Sequence, residues 1–321
     1  MLDVIIALVP AMIAAVVYFR EYAVNLIFTC VVSAVLTEQL CNLVRRKTGS
    51  LGDLSAVVTG LILAFSLPPA IPPWAAAVGS AFSIAIGKMV FGGLGSNIFN
   101  PAMVGRAFLT ACFGMLMTTW TVPATIDPAM PKIAPSMPDT ITQATPLAWS
   151  KQAIKATRSP GDKNAVTAAV AEKQLKAAFL GEMGGCLGET CVPVLVIGGV
   201  YLLIRGTIGY QIPVGMLGSS FVIATVFNLM NPNAYASGLF HLCAGGVMLG
   251  AFFIATDPVT APLTGRGRWV FGVGAGAIVM LIRIVGEYPE GVMYAVLLMN
   301  AVTPLIDRFC EMTPAGGTPS A

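Results

Sequence analysis

Long apolar runs alternate with short, punctuated connections along nearly the whole chain. Runs at 2–19, 23–44, 54–67, 73–91 and 102–120 precede a polar stretch, and further runs follow it at roughly 190–205, 212–230, 238–255, 269–286 and 291–309. Repeated runs of this length match what a helix needs to cross a hydrocarbon layer of about 30 Å. The pattern predicts an all-α polytopic membrane protein with about ten transmembrane helices. The single long polar segment, 121–189, separates a first membrane half (1–120) from a second half with a short tail (190–321).

The two halves echo each other in order. Leu51-Gly52-Asp53 matches Leu187-Gly188-Glu189, Ile71-Pro72 matches Ile212-Pro213, and Gly79-Ser80-Ala81-Phe82 matches Gly218-Ser219-Ser220-Phe221. Such a repeat predicts two five-helix units. Their relative orientation follows from charge, because Lys and Arg in short loops concentrate on the cytoplasmic side. With both termini cytoplasmic, Arg45, Arg46, Lys47, Lys88, Arg205, Arg266, Arg268 and Arg308 all fall on that side, and the short loops opposite hold Arg20 alone. Segment 121–189 is then extracytoplasmic. Asp53 and Glu189 lie on opposite sides, so the expected halves are inverted repeats.

Composition removes several classes. With 56% hydrophobic and 10% charged residues, a soluble core is excluded, and a net charge of +3 gives no footprint for nucleic acid. Of seven cysteines, Cys30, Cys41, Cys112, Cys243 and Cys310 fall in or beside apolar runs as small hydrophobes. Cys186 and Cys191 form the one close pair that invites a redox or metal reading. His241 is the sole histidine, and packing is the favoured reading of that pair. The first run lacks a basic start and a following small-residue cleavage site, so it reads as a retained helix.

Gly92-Gly93-Leu94-Gly95-Ser96 imitates a phosphate loop, but it follows a membrane helix and no Lys-Ser/Thr succeeds it. Asn100-Pro101 and Asp257-Pro258 start and end helices on the same expected face, either as ordinary punctuation or as breaks beside a site. Gly246 with Gly250, and Gly272 with Gly276, place small residues one turn apart for close helix packing. Charge inside a membrane is costly, so each such residue is a site candidate. Lys88, Glu189, Asp257 and Glu287 lie near enough to span ends to reach water. Glu38, Arg106 and Arg283 do not. Arg106, one turn into its helix, is expected on the cytoplasmic side, remote from segment 121–189.

Several strings carry a resemblance over essentially the whole chain. They are Asp139-Thr-Ile-Thr-Gln-Ala-Thr-Pro-Leu147, Phe99-Asn-Pro-Ala-Met-Val-Gly-Arg-Ala-Phe-Leu109, Gly184-Gly-Cys-Leu-Gly-Glu189, Ala255-Thr-Asp-Pro-Val-Thr260, Gly286-Glu-Tyr-Pro-Glu-Gly291 and Leu297-Leu-Met-Asn300. Together they resemble the D subunit of the Rnf ion-translocating electron-transport complex. Its superfamily also holds the B subunit of sodium-pumping NADH:quinone reductase, which usually carries a longer amino-terminal region than this chain. Met1 falls late against the Rnf pattern, which has a short segment before the first helix.

The resemblance implies FMN joined through its phosphate to Thr145 by a flavin transferase. The attachment motif, Asp-x-x-Ser/Thr-x-Ala-Ser/Thr, is matched by Asp139, Thr142, Ala144 and Thr145; Gln143 departs from it, standing where the family often has Gly. Pro146 biases Thr145 toward extended backbone. Relatives hold a second, noncovalent flavin, riboflavin, for which Asn100 and Arg106 are candidate contacts. Glu38, Asp257 and Arg283 are candidates for an ion pathway carrying sodium or protons. Expected partners are the other subunits of a ferredoxin:NAD oxidoreductase complex, including an extracytoplasmic flavin-bearing subunit, in a bacterial or archaeal cytoplasmic membrane. The alternative is a flavin-free channel or solute transporter of inverted-repeat architecture.

Overall fold

A computed structural model describes residues 1–46, 51–120, 146–158, 175–181, 184–189, 191–286, 288 and 290–310. Every regular element among them is helical. In chain order, α1 (Leu2–Phe19) and α2 (Glu21–Val44) precede α3 (Ser55–Phe65) and α4 (Pro73–Ile84), which continues as a π-helical turn at Ala85–Met89. Next come α5 (Pro101–Cys112), α6 (Gly114–Met117), α7 (Pro146–Arg158), α8 (Leu175–Leu180), α9 (Val192–Ile204) and α10 (Gln211–Met230). Short α11 (Gly238–Cys243) and α12 (Val247–Leu249) follow, the latter continuing as a π-helical turn at Gly250–Ile254; α13 (Gly265–Ile284) and α14 (Val292–Phe309) complete the bundle.

Among the described residues, α1, α2, α10, α13 and α14 are long and apolar enough to cross a membrane. The other expected spans are shorter. α3 has 11 residues and α9 has 13, lengths of about 16–20 Å at about 1.5 Å per residue. The run at 102–120 divides at Phe113, where the backbone leaves the helical region before α6. The run at 238–255 divides at Ala244–Gly246, where Gly245 takes a φ of +76°, open to glycine at little cost. Hydropathy detected the apolar stretches but not these breaks, because a broken helix packed inside protein is as apolar as an intact one.

The bundle's exterior is that of a membrane chain. Leu43, Val44, Ile204, Leu229, Met230 and Phe309 are each more than 70% exposed, an arrangement that water disfavours and lipid accepts. Inside, glycine permits backbone contact. α10 and α13 form the most extensive helix pair, with Gly272 against the Ile212 carbonyl and Gly276 against Met216, Ser219 and Ser220. The Gly272/Gly276 spacing therefore marks a packing face. The end of segment 121–189 also meets the first part of the chain through backbone: Leu187 N–H donates to the Leu67 carbonyl at 3.1 Å, and Gly188 lies against Phe65 with no room for a Cβ.

A Cβ on Gly276 would collide with backbone and hydroxyl oxygens of α10, whereas one on Gly218 of α10 meets nothing within 4 Å. Gly276→Ala is expected to lower stability by about 1–3 kcal/mol as an overpacked site, and Gly218→Ala to leave it unchanged or slightly raised. Thermal unfolding of the two detergent-purified variants checks this.

Candidate functional site

Two polar sites occupy the helix breaks. The larger is a cavity of about 890 Å³, including space open at its mouth, where α3, the π-helical end of α4, the start of α5 and the segment 252–259 converge. π-helical turns shift side-chain register and recur at functional positions; here both of them line the cavity, through Lys88 and through Phe252 and Phe253.

Asn100 organises one wall. As N-cap of α5 its side chain accepts from Ala102 N–H (3.0 Å) and Met103 N–H (3.3 Å). Its amide nitrogen donates to the Ile254 carbonyl at 3.3 Å, at the end of the second π-helical turn. Asn300, its amide oriented to suit both neighbours, accepts from Asn100 N–H (2.9 Å) and donates to the Val296 carbonyl. Asp257 lines the same cavity, and its carboxylate accepts from Val259 N–H (3.3 Å) and the Thr260 hydroxyl (3.2 Å).

Lys88 forms the opposite wall and is 1% exposed. Its ammonium donates to Glu38 Oε1 (2.6 Å) and Ser55 Oγ (2.5 Å), and Ser55 in turn donates to Asp53 Oδ1. The sequence placed Lys88 close enough to a span end to reach water; the π-helical turn instead holds it inside, against the fully buried Glu38. Glu38, Asn100 and Asp257 thus share one region. Arg106 and Arg283 do not.

Arg106, one and a half turns further along α5, forms an ion pair with Glu290, and its Nη2 lies 3.4 Å from Cys186 Sγ. Cys186 N–H donates to Glu189 Oε2 at 3.4 Å. The Cys186 sulfur and one oxygen each of Glu189 and Glu290 lie within 4.8 Å of one another. Burial and the adjacent Glu290 carboxylate push the Glu189 carboxyl well above its ordinary range. At Glu290, burial is again the largest single influence and acts the same way, but Arg106, Glu189 and Arg283 together outweigh it and hold that carboxyl below its ordinary range. Arg283 stands beside this cluster with its two Nη groups donating to the His241 (2.6 Å) and Ala244 (2.9 Å) carbonyls, closing the broken end of α11. A second cavity, about 500 Å³, opens beside Arg106 and is lined by Thr110, Trp120, Tyr288, Glu290 and Tyr294.

Thr145, Asp139, Thr142 and Ala144 lie outside the described residues, but α7, which begins at Pro146, is in view. Leu147 packs on Ala236, Phe240 and Ala244; Lys151 donates to the Tyr288 carbonyl at 2.7 Å. A Cβ placed on Gly245 would meet Leu147, Arg283 and Glu290 together. Arg106, expected far from segment 121–189, meets it directly at Cys186. Glu290 was passed over in the sequence as part of a connection; two acids flanking Pro289 between apolar runs were the available signal.

Removing one member of a buried ion pair leaves the other charge uncompensated, at a cost of about 3–5 kcal/mol. Lys88→Met is expected to lose that much stability, and Lys88→Met with Glu38→Leu to regain most of it. Thermal midpoints of the two variants in detergent test the pair.

The comparisons with known proteins agree over nearly the whole chain. A model of the NQR2, RnfD, RnfE family matches residues 1–316. The D subunit of the proton-translocating ferredoxin:NAD(+) oxidoreductase complex of Clostridium ljungdahlii is 43% identical over 318 residues, covering 98% of this chain and 91% of that one. The D subunit of the Na(+)-translocating ferredoxin:NAD(+) oxidoreductase complex of Acetobacterium woodii is 41% identical over 314 residues, 97% and 88% of the two chains. The D subunit of the ion-translocating oxidoreductase complex of Stutzerimonas stutzeri is 40% identical over 325 residues, 97% and 90%. Matched by the family model over residues 1–316 and 40–43% identical to these three relatives over nearly its whole length, the chain belongs to the NQR2, RnfD, RnfE family.

Proposed function

We propose that this chain is the D-type membrane subunit of an ion-translocating ferredoxin:NAD oxidoreductase complex, relaying electrons through FMN attached to Thr145. The observation that carries the reading is end-to-end similarity to subunits of that name from a proton-translocating and a sodium-translocating complex. The anchoring of α7 is consistent with it: the helix that follows Thr145 in the sequence is fixed to the bundle by Leu147 and Lys151, and Lys151 bonds the carbonyl of Tyr288, which lines the Arg106 cavity together with Trp120 and Tyr294. Bound flavin supplies one- and two-electron redox chemistry.

The larger cavity is the place for a second, noncovalent riboflavin. Asn97, Asn100, Thr256 and Asp257 bring amide, hydroxyl and carboxylate groups to a largely apolar lining, the mixture that small-molecule sites use. These residues would orient the ring's polar edge while Val58, Ile62, Phe252 and Phe253 exclude water. Arg106 does not line this cavity. Around these sites the chain would be two inverted five-helix halves in a bacterial or archaeal cytoplasmic membrane, with segment 121–189 outside and both termini inside. The repeat of a one-turn helix ending in an acid (Leu51–Asp53, Leu187–Glu189) before a short apolar helix supports that arrangement. Other subunits, a flavin-bearing one outside among them, would deliver and remove electrons, and a flavin transferase would attach the FMN.

The test is a denaturing gel of the chain co-expressed with a flavin transferase, imaged for flavin fluorescence before staining. A fluorescent wild-type band and a dark Thr145→Ala band are expected. A dark wild-type band in the presence of active transferase overturns the tether and favours a flavin-free transporter.

A further inference from the structure

We propose that Glu189 and Glu290 form a carboxyl pair that binds one exchangeable proton between them, loaded from the cavity beside Arg106. The pair rests on the cluster's geometry and needs no flavin.

Three separated parts of the chain build the pair: the one-turn helix Leu187–Glu189, the residue preceding Gly291 and α14, and Arg106 of α5. One oxygen of each carboxyl is occupied, Glu189 Oε2 by Cys186 N–H and Glu290 Oε2 by Arg106. The other two, Glu189 Oε1 and Glu290 Oε1, are enclosed and have no hydrogen-bond partner. They face the same backbone break: a Cβ on Gly246 would stand 3.4 Å from the first, and one on Gly245 would stand 3.6 Å from the second. Two acceptors cannot satisfy each other. One proton converts an acceptor into a donor and removes the deficit.

Charge leads to the same place. Two carboxylates face one engaged guanidinium, Arg106, and like charges sharing a buried site do not both ionise. Arg283 also acts on both carboxyls through its charge, but its hydrogen bonds go to the carbonyls of His241 and Ala244, and Lys151 reaches the Tyr288 carbonyl. The remaining titratable groups around Arg106 and Arg283, Cys186, Tyr288, Tyr294 and His241, are acids with ordinarily higher pKa values or, for His241, a base buried beside Arg283. A metal ion at the pair would sit against the Arg106 guanidinium and be repelled by it, whereas a proton adds no bulk and leaves the ion pair intact.

Access is provided by the second cavity, which Glu290 and Arg106 both line. Loading transfers a proton from a hydronium ion in that cavity to one carboxylate. An O–H bond forms, the hydronium becomes water, and the new donor bonds the partner carboxylate; no electron moves.

Infrared spectroscopy of the full-length purified chain tests this through the carbonyl stretch of a protonated carboxylic acid. A pH-dependent band that shifts on deuterium exchange is expected in the wild type, lost in both Glu189→Gln and Glu290→Gln, and retained in Asp257→Asn. Saturating Na⁺ is expected to leave it in place. A band that survives either Gln substitution, or its absence from the wild type at every pH, overturns the proposal. Displacement by Na⁺ overturns it in favour of a metal-ion site. Should a Gln variant fail to fold, Glu189→Asp and Glu290→Asp keep the acid and are expected to shift the band's frequency and titration midpoint; an unmoved band overturns the assignment.

Discussion

Interrupting a helix inside an apolar bundle strands backbone N–H and C=O groups where no water can reach them, and this chain does so repeatedly. Each freed group is costly unless another part of the protein satisfies it. Asn100 takes two amides at the start of α5 and gives its own amide to the Ile254 carbonyl. Arg283 gathers two carbonyls at the end of α11, Asp257 holds the amide of Val259, and the Leu67 carbonyl is met by the distant Leu187. The polar residues that first look like site machinery are therefore also what makes the breaks affordable. Both cavities exist because the helices stop, and the helices stop stably because these side chains are there.

Buried charge is handled differently at the two sites. At the larger cavity Lys88 and Glu38 neutralise each other, and Ser55 and Asp53 extend the contact. In the Arg106 cluster the acids outnumber the engaged cation. An acid-rich cluster must either stay open to water or carry a proton, and the enclosure of Glu189 Oε1 and Glu290 Oε1 leaves little of the first option.

Much of this was legible in the residues. Long apolar runs marked α1, α2, α10, α13 and α14 closely, since an uninterrupted stretch exposed to lipid has only one stable form. Asn100-Pro101 announced the start of α5, because a capping side chain followed by Pro at the first helical position leaves few other readings. Gly272 and Gly276 announced a close-packing face on α13, though not its partner α10. The break within 238–255 was not legible, because Gly245 in an apolar run reads equally as a packing residue. Nor was the depth of Lys88, which depends on a π-helical turn, nor the meeting of Arg106 with Glu290, 184 positions apart. Such contacts are products of tertiary packing, on which hydropathy is silent.

The pairing of α5 with α14 ties the two sites to one another. Asn100 meets Asn300 at one end of the seam and Arg106 meets Glu290 at the other, as antiparallel helices require. Six residues of α5 separate the two contacts, about 9 Å of helix. A side chain at one end is thus held to the other by little more than a turn and a half of rigid backbone. Pro101 fixes the first turn of α5, and the break at Phe113 ends the helix soon after the second contact. Moving the Arg106–Glu290 pair while α5 stays rigid must therefore also move the Asn100 cap and its bond to the Ile254 carbonyl. The larger cavity and the proton-binding pair are built on opposite ends of the same short element.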